Sequence, residues 1–476
     1  MGEVEAITKT INLWIGNPIS KSILKYIYNG NPETFSKILK RCAELNVDLG
    51  LGEYLKYLAV KRMLNLGAKS FGVDMNGFRE SLKNPLIRRA VTNILGGIVE
   101  YGIQKPQVTI APFLVVWNYT RQCNLRCKHC YENAGLKPDV DELNTDEAKR
   151  VVDEFAESGV VAIAFSGGEP LMRKDFYEVS NYSYKREFYI SIATNGTLIN
   201  RETALKLRDS GVQYVEVSLD GLEELHDNFR GVKGAWRRSI EGVKNCIDVG
   251  LDVGVATTIT KQNINEIPKL IEILEDIGVK RFIAFNFIPV GRGRDIMDLD
   301  PNPDERKKLL EYLYGKLVEP ICRIQTFSTA PQYSVTSVNF DGPIIATHFS
   351  NKSAMEMLRG KAKVLADFIG GCGAGRLYCG LEPNGDIIPC VFIPIKIGNI
   401  RKQKLIDVWK HSPTLQKLRV RERFEGCGKC QYMYICGGCR ARAYAYFNNI
   451  QGPDPGCIIN IEYWQKINNK YTENIK

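Results

Sequence analysis

The middle of this sequence predicts an α/β fold: a parallel sheet covered by helices, between an N-terminal helical region and a cysteine-rich C-terminal module. Three observations predict it. Short β-rich runs, several almost wholly apolar, alternate with helical periodicity from Phe113 to about Glu319, as strands buried on both faces require. The preceding hundred residues show helical spacing with little alternation. Eleven of the 14 cysteines fall into two groups, one beside the first predicted strand and one from Cys372 to Cys457.

Composition sets the limits. At 476 residues the chain is too long for one ordinary core, so two or three domains are expected. With 44% apolar and 25% charged residues it reads as globular. The start, MGEVEAITKTINLW, lacks a basic-then-apolar leader, and no apolar run reaches membrane-spanning length, so a cytoplasmic location is expected. In a reducing compartment 14 cysteines point to metal and not to disulfides. A net charge of +10 is modest for this length and suits a solvated surface. No compact basic–aromatic motif suggests nucleic acid.

Residues 1–106 are read as a helical domain. Ile23, Leu24, Ile27 and Tyr28 share a helix face, as do Phe35, Ile38, Leu39 and Cys42. Two apolar stripes near basic residues, Ile11 to Ile23 and Leu86 to Val99, suit either packing on the next domain or an interfacial helix peripheral to a membrane.

Residues 107–319 carry six predicted βα units, with strands at 113–118, 160–165, 188–193, 213–219, 252–259 and 280–288. Helices are predicted to start near Asp146, Lys174, Arg201, Ala235 and Asn263. A parallel sheet presents ligand loops at the C-terminal edge of its strands. After the first strand comes Cys123-Asn-Leu-Arg-Cys127-Lys-His-Cys130. Three soft thiolates are one short of a closed zinc or iron–sulfur site. After the second comes Ser166-Gly167-Gly168-Glu169-Pro170, whose glycines permit close backbone approach and whose carboxylate can accept from an ammonium. Ala193-Thr194-Asn195-Gly196 and Ser218-Leu219-Asp220-Gly221 follow the third and fourth. Arg230 suits a planar carboxylate or a surface salt bridge, and Asn286 and Arg292 are weaker candidates at the same edge. His129 is expected to pack beside the cysteines without ligating.

Residues 320–371 read as a linker region, and 372–476 as a third module with Cys372, Cys379, Cys390, Cys427, Cys430, Cys436, Cys439 and Cys457. Asn384-Gly385 between apolar runs signals a hairpin that would bring Cys379 and Cys390 together. Eight cysteines equal two four-ligand sites, and their spacing alone leaves zinc as a competitor. Cys42, Cys246 and Cys322 read as buried or incidental.

CxxxCxxC after a first strand, GGEP after the second, and the order of the later cysteines resemble radical S-adenosylmethionine (SAM) enzymes with a C-terminal SPASM extension. The resemblance spans roughly residues 110–460 and implies a partial (βα)6 TIM-like barrel. It implies that Cys123, Cys127 and Cys130 hold a [4Fe–4S] cluster whose free iron chelates SAM. Gly167, Gly168 and Glu169 would take the SAM amino group, with Thr194, Asn195, Ser218, Asp220 and Arg230 as further contacts. Cys372, Cys379, Cys390 and Cys439 would hold one auxiliary [4Fe–4S] cluster, and Cys427, Cys430, Cys436 and Cys457 another, three clusters in all. The last pair, Cys436 and Cys439, is separated by two glycines where many members have three residues. The implied chemistry is reductive SAM cleavage to a 5′-deoxyadenosyl radical, hydrogen abstraction from an unactivated carbon, and net oxidation by this oxidoreductase. The implied electron donor is a ferredoxin or flavodoxin.

Three substrate classes remain open: a peptide or protein, an isoprenoid membrane lipid joined carbon to carbon, and a haem-type tetrapyrrole precursor suggested by Gly438-Cys439-Arg440-Ala-Arg442. No winged-helix hairpin for peptide recognition is apparent near the N-terminus. A non-enzymatic electron carrier is the other class, but GGEP behind the triplet has no use in one.

Overall fold

The structure, a computed structural model, describes residues 18–28, 31–71, 74–340 and 367–474. One ten-stranded sheet organises it, in the order β10-β9-β8-β1-β2-β3-β4-β5-β6-β7. Strands β1 (Leu114–Thr120), β2 (Ala162–Gly167), β3 (Tyr189–Thr194), β4 (Tyr214–Ser218), β5 (Asp252–Ile259), β6 (Arg281–Asn286) and β7 (Gln325–Ser328) pair in sequence order. Every one of these pairings is parallel. The six strands expected from sequence are there, covered by helices beginning at Thr145, Phe176, Arg201, Ala235 and Ile267.

Two features extend that expectation. The stretch read as a linker supplies β7 and the helix Gln332–Asn339, so the barrel sheet runs past residue 319 to Ser328. The cysteine-rich module is also not set apart. Its strand β8 (Tyr378–Leu381) pairs parallel with β1, and β9 (Asp386–Ile388) and β10 (Gly398–Asn399) follow antiparallel. The predicted hairpin exists, and it continues the barrel's own sheet.

The first five described helices are α1 (Pro18–Tyr28), α2 (Pro32–Cys42), α3 (Leu51–Phe71), α4 (Met75–Ser81) and α5 (Pro85–Tyr101). No strand lies among the described residues of this region. Phe35, Ile38, Leu39 and Cys42 are buried as their spacing predicts. Helix α5 docks on the barrel. Asn93 Nδ2 donates to the Ala111 and Gly159 carbonyls, and Arg89 donates to those of Val160 and Arg186. Gly97 lets the backbones meet, since a Cβ there would lie 2.3 Å from the Val108 carbonyl oxygen. These contacts precede β2 and β3, so the helical domain covers the strands' N-terminal edge, opposite the cysteine loop.

Of the stripe from Leu86 to Val99, Ile87, Val91, Leu95 and Val99 turn to the core, while Ile94 is exposed. Of the other stripe, Ile11, Leu13, Trp14 and Ile15 lie outside the described residues, while Leu24, Ile27 and Tyr28 of the neighbouring predicted helix face are buried. An apolar stripe that sequence periodicity did not single out does face solvent. Leu51, Tyr54, Leu55 and Leu58 on α3 are all exposed, followed by exposed Lys61 and Arg62.

Candidate active site

The cysteine loop lies across the C-terminal edge of the sheet and is held from three sides. From β2, the paired glycines admit it. A Cβ on Gly168 would sit 2.3 Å from the Gln122 carbonyl oxygen, and one on Gly167 (φ +103°) 2.7 Å from that of Thr120. The backbone N–H groups of Gly168 and Glu169 donate to the same segment, at the Thr120 and Gln122 carbonyls. From β6, Arg292 donates to the Cys127 and Ala134 carbonyls at 2.9 and 2.8 Å, and a Cβ on Gly291 would collide with the Cys130 carbonyl. From the helix Glu223–Arg230, the Phe229 and Arg230 carbonyls accept from Lys128 and Arg126.

Each sulfur of the first pair receives an N–H. Leu125 N donates to Cys123 Sγ at 3.4 Å, and Arg230 Nη1 to Cys127 Sγ at 3.6 Å. Burial pushes the Cys123 thiol up to about 12, so it becomes a thiolate by binding metal and not by acidity. Arg230 is buried, and its Nε stands 2.6 Å from Asp220 Oδ2. It is thus no surface salt bridge, and its charge is shared between a carboxylate and a cysteine. Burial alone would raise the Asp220 carboxyl, but the Arg230 guanidinium holds it below the usual range. His129 stacks on Phe229, ring centroids 4.3 Å apart, and burial keeps it neutral with its pKa lowered to about 3.

The other loop ends converge on Glu169. Its carboxylate accepts from Thr194 Oγ1 and Asn195 N at 2.8 Å each, and from Leu171 N at 3.2 Å. Full burial nevertheless raises its pKa to about 7, because three neutral donors only partly replace lost water. Asn195 Nδ2 turns toward Cys123 Sγ at 4.0 Å and donates to Asn124 Oδ1 at 2.8 Å, while Thr197 donates to its Oδ1. Ser218 ends β4, half-buried, on the same edge. The structure so brings the triplet together with Glu169, Thr194, Asn195, Asp220 and Arg230. Sequence reading missed Asn124 and Thr197, and it undervalued Arg292 as the clamp on the loop.

In the C-terminal module, Cys427, Cys430, Cys436 and Cys457 line one cavity of about 300 Å³. Arg440 and Asn460 donate to Cys427 Sγ at 3.5 and 3.4 Å, and Gly438 N donates to Cys436 Sγ at 3.4 Å. Gly437 and Gly438 both adopt positive φ, +68° and +65°, so the two-residue gap is closed by left-handed backbone. Near β8 and β9 the thiols of Cys390 and Cys439, held up at about 12 by burial, also feel Cys372.

Comparison with known proteins decides the family. The radical SAM superfamily profile matches residues 117–274, and that of an iron–sulfur cluster-binding domain, SPASM, matches 372–439. An AdoMet-dependent haem synthase from Methanosarcina barkeri is 36% identical over 354 residues, covering 74% of this chain and 97% of the relative. The chain belongs to the radical SAM superfamily. A mycofactocin maturase from Mycolicibacterium smegmatis is 30% identical, covering 73% of this chain and 83% of the maturase. Streptococcus suis SuiB bound to S-adenosylmethionine shares the fold with a TM-score of 0.62 at 20% identity, covering 86% of this chain and 90% of SuiB.

This radical SAM chain is an iron–sulfur enzyme that uses SAM. Its residues suit those groups. Glycines stand where a side chain would block the loop, N–H donors face the sulfurs, and buried guanidiniums beside Cys127 and Cys427 match the negative charge that a thiolate-bound cluster brings.

Proposed function

We propose that this radical SAM enzyme carries out a net oxidation at an unactivated carbon of an isoprenoid membrane lipid, joining carbon to carbon. When bound, the cluster on Cys123, Cys127 and Cys130 and its SAM supply a 5′-deoxyadenosyl radical that takes the hydrogen. The protein's part is placement. Glu169 would accept from the SAM ammonium, Gly167 and Gly168 keep its path open, and Thr194, Asn195, Ser218 and Asp220 line the edge where the ribose and methionine would lie. Arg230, engaged with Asp220 and Cys127, would steady the cluster rather than meet the SAM carboxylate. Cys372, Cys379, Cys390 and Cys439, with Cys427, Cys430, Cys436 and Cys457, would hold two auxiliary [4Fe–4S] clusters, three in all, suited to take the electron left when the second hydrogen departs as a proton; a ferredoxin or flavodoxin would supply the separate electron that SAM cleavage consumes.

The observation that carries the lipid reading is the exposed apolar stripe Leu51, Tyr54, Leu55 and Leu58, ending in Lys61 and Arg62. Such a face suits the headgroup boundary of a bilayer. Leu136, Val140 and Leu198 on the rim of the cysteine-loop edge are exposed as well. Because α5 fixes the helical domain to the opposite edge, that domain would tether the enzyme and not channel lipid into the barrel. No helix among the described residues is long and apolar enough to cross a membrane.

A tetrapyrrole precursor is the second reading. A haem synthase that is 36% identical and nearly wholly spanned supports it. A peptide is supported less, by the mycofactocin maturase at 30%, since the described N-terminal residues offer no strand to recognise one. The deciding experiment is anaerobic incubation of reconstituted enzyme with SAM and reductant, comparing isoprenoid glycerol lipids in liposomes with iron-coproporphyrin. The lipid reading expects 5′-deoxyadenosine together with a lipid product lighter by two hydrogens. An oxidation-neutral product, or turnover of the porphyrin alone, would discard it.

A further inference from the structure

The inner face of the barrel sheet carries a carboxyl without a partner among the described residues. We propose that this group, Glu216 of β4, accepts the proton that leaves the substrate in the net oxidation. This rests on the net-oxidation reading above, and not on which substrate is oxidised.

Strand parity places the group. Val215 and Val217 are fully buried on the outer face of β4. A Cβ on Gly196 would meet Val217 Cγ1 at 2.7 Å and, at 3.4 Å, Ser239 Cα of the covering helix Ala235–Asp248. Tyr214, Glu216 and Ser218 take the inner face, and each keeps partial exposure. The neighbouring strand alternates likewise: Ile190 and Ile192 are buried, whereas Tyr189, Ser191 and Ala193 are partly exposed. Ala193 and Gly254 stand opposite Glu216 on β3 and β5. Neither has a side chain long enough to cover it, so the carboxyl faces the inside of the partial barrel. Ser218 lies two residues, about 6.6 Å, nearer the edge that holds the cysteine loop.

The surrounding carboxyls are all engaged. Glu169 and Asp220 have the partners given above, and Asp252 pairs with Arg281 at 2.5 Å. Glu132 and Glu382 share Asn118 and Arg121. Glu216 is enclosed by the curved sheet yet reached by water, and lost hydration alone raises it to about 7. The groups facing it are Tyr214 on its own strand, Tyr189 on β3, Asp252 on β5 and Arg281 on β6. The last two neutralise each other, and burial keeps both tyrosines neutral.

In a net oxidation one hydrogen leaves as an atom, and the second as a proton and an electron. The electron goes to an auxiliary cluster, as proposed above. The C–H bond breaks with its proton passing to a Glu216 carboxylate oxygen. That leaves a carboxylic acid and a product two hydrogens lighter. An acceptor poised near neutral pH suits this task.

The test uses reconstituted full-length enzyme. Dicyclohexylcarbodiimide attacks protonated carboxyls, so it reads the free group without turnover. Peptide mass mapping is expected to find the adduct on Glu216 at pH 6, and none on ion-paired Asp252. Labelling should fall above pH 7, approaching tenfold per pH unit. Turnover is then followed anaerobically at saturating SAM, with isoprenoid lipid liposomes or iron-coproporphyrin, whichever the wild type converts. Oxidised product counted per 5′-deoxyadenosine cancels any effect on SAM binding. Glu216→Gln removes no described contact, and it is expected to lower that ratio about a hundredfold and abolish its rise from pH 6 to 8. Glu216→Asp should restore part of it. An unlabelled Glu216, or a Glu216→Gln ratio equal to that of the wild type, overturns the inference. A wild type that forms only oxidation-neutral product overturns the net-oxidation reading instead.

Discussion

The Glu169 carboxylate accepts the Asn195 backbone N–H at 2.8 Å, tying the end of β2 to the end of β3 beside the cysteine loop. Burial raises this carboxyl to about 7, so its charge changes within the working range. An ammonium held by Glu169 needs the carboxylate. SAM affinity should therefore be full above pH 7 and weaken below it, approaching tenfold per pH unit. Stability without SAM runs the other way. A folded pKa above the ordinary glutamate value near 4.5 means stability is lost as pH rises from there through 7. Anaerobic SAM binding from pH 6 to 8 checks the first, since Glu169→Gln should bind weakly and show no pH dependence in this range, and urea denaturation without SAM from pH 5 to 8 checks the second.

Gly168 is a packing requirement before it is a ligand contact. An alanine Cβ would meet the Gln122 carbonyl oxygen at 2.3 Å, and backbone cannot step aside as a flexible side chain can. Gly168→Ala should cost about 1–3 kcal/mol. It should also displace the chain that leads into Cys123, so iron content is expected to fall by about four atoms per chain, as one cubane requires. Thermal denaturation with iron analysis measures the two effects, and retention of all iron would contradict the placement.

Breaking the Asp220–Arg230 pair should be costly, because both partners are buried. Asp220→Asn leaves a guanidinium against Cys127 with no carboxylate, and Arg230→Met leaves a carboxylate with no cation near His129. Each single change is expected to destabilise by about 3–5 kcal/mol, and the apolar double change by clearly less than the sum. Urea denaturation of the four proteins gives the coupling directly.

Much of this organisation was readable from residue patterns, for reasons that also explain what was not. Runs such as Val160–Phe165 and Asp252–Ile259 are β-rich and bounded by glycine or polar turns, so the strands stood out. Strand β7 is only Gln325-Thr-Phe-Ser328, too short and polar to show periodicity, and the linker reading followed. The helix Glu223–Arg230 buries only His226, Phe229 and Arg230, too narrow a stripe to predict. Asn384-Gly385 was legible as a turn because two short apolar runs flank it, and β8 and β9 do pair across it. Leu51 to Leu58 carry no signal of exposure, since apolar spacing describes an inward face equally well; only the packing of α3 reveals which way they turn.

That orientation gives the most direct test of membrane tethering. Leu51, Leu55 and Leu58 recur at helical spacing on one exposed face, so three glutamates there would place charge where acyl chains should lie. Exposed positions away from the core tolerate substitution within about 0.5 kcal/mol each, so the triple variant should melt close to the wild type. Its co-flotation with anionic liposomes at low salt should be lost. Lys61→Glu with Arg62→Glu should weaken flotation in a salt-dependent way, because those charges act on headgroups through a Debye length of about 10 Å at 0.1 M salt. Equal flotation of wild type and the leucine variant would remove the stripe from the argument and leave the tetrapyrrole reading in front.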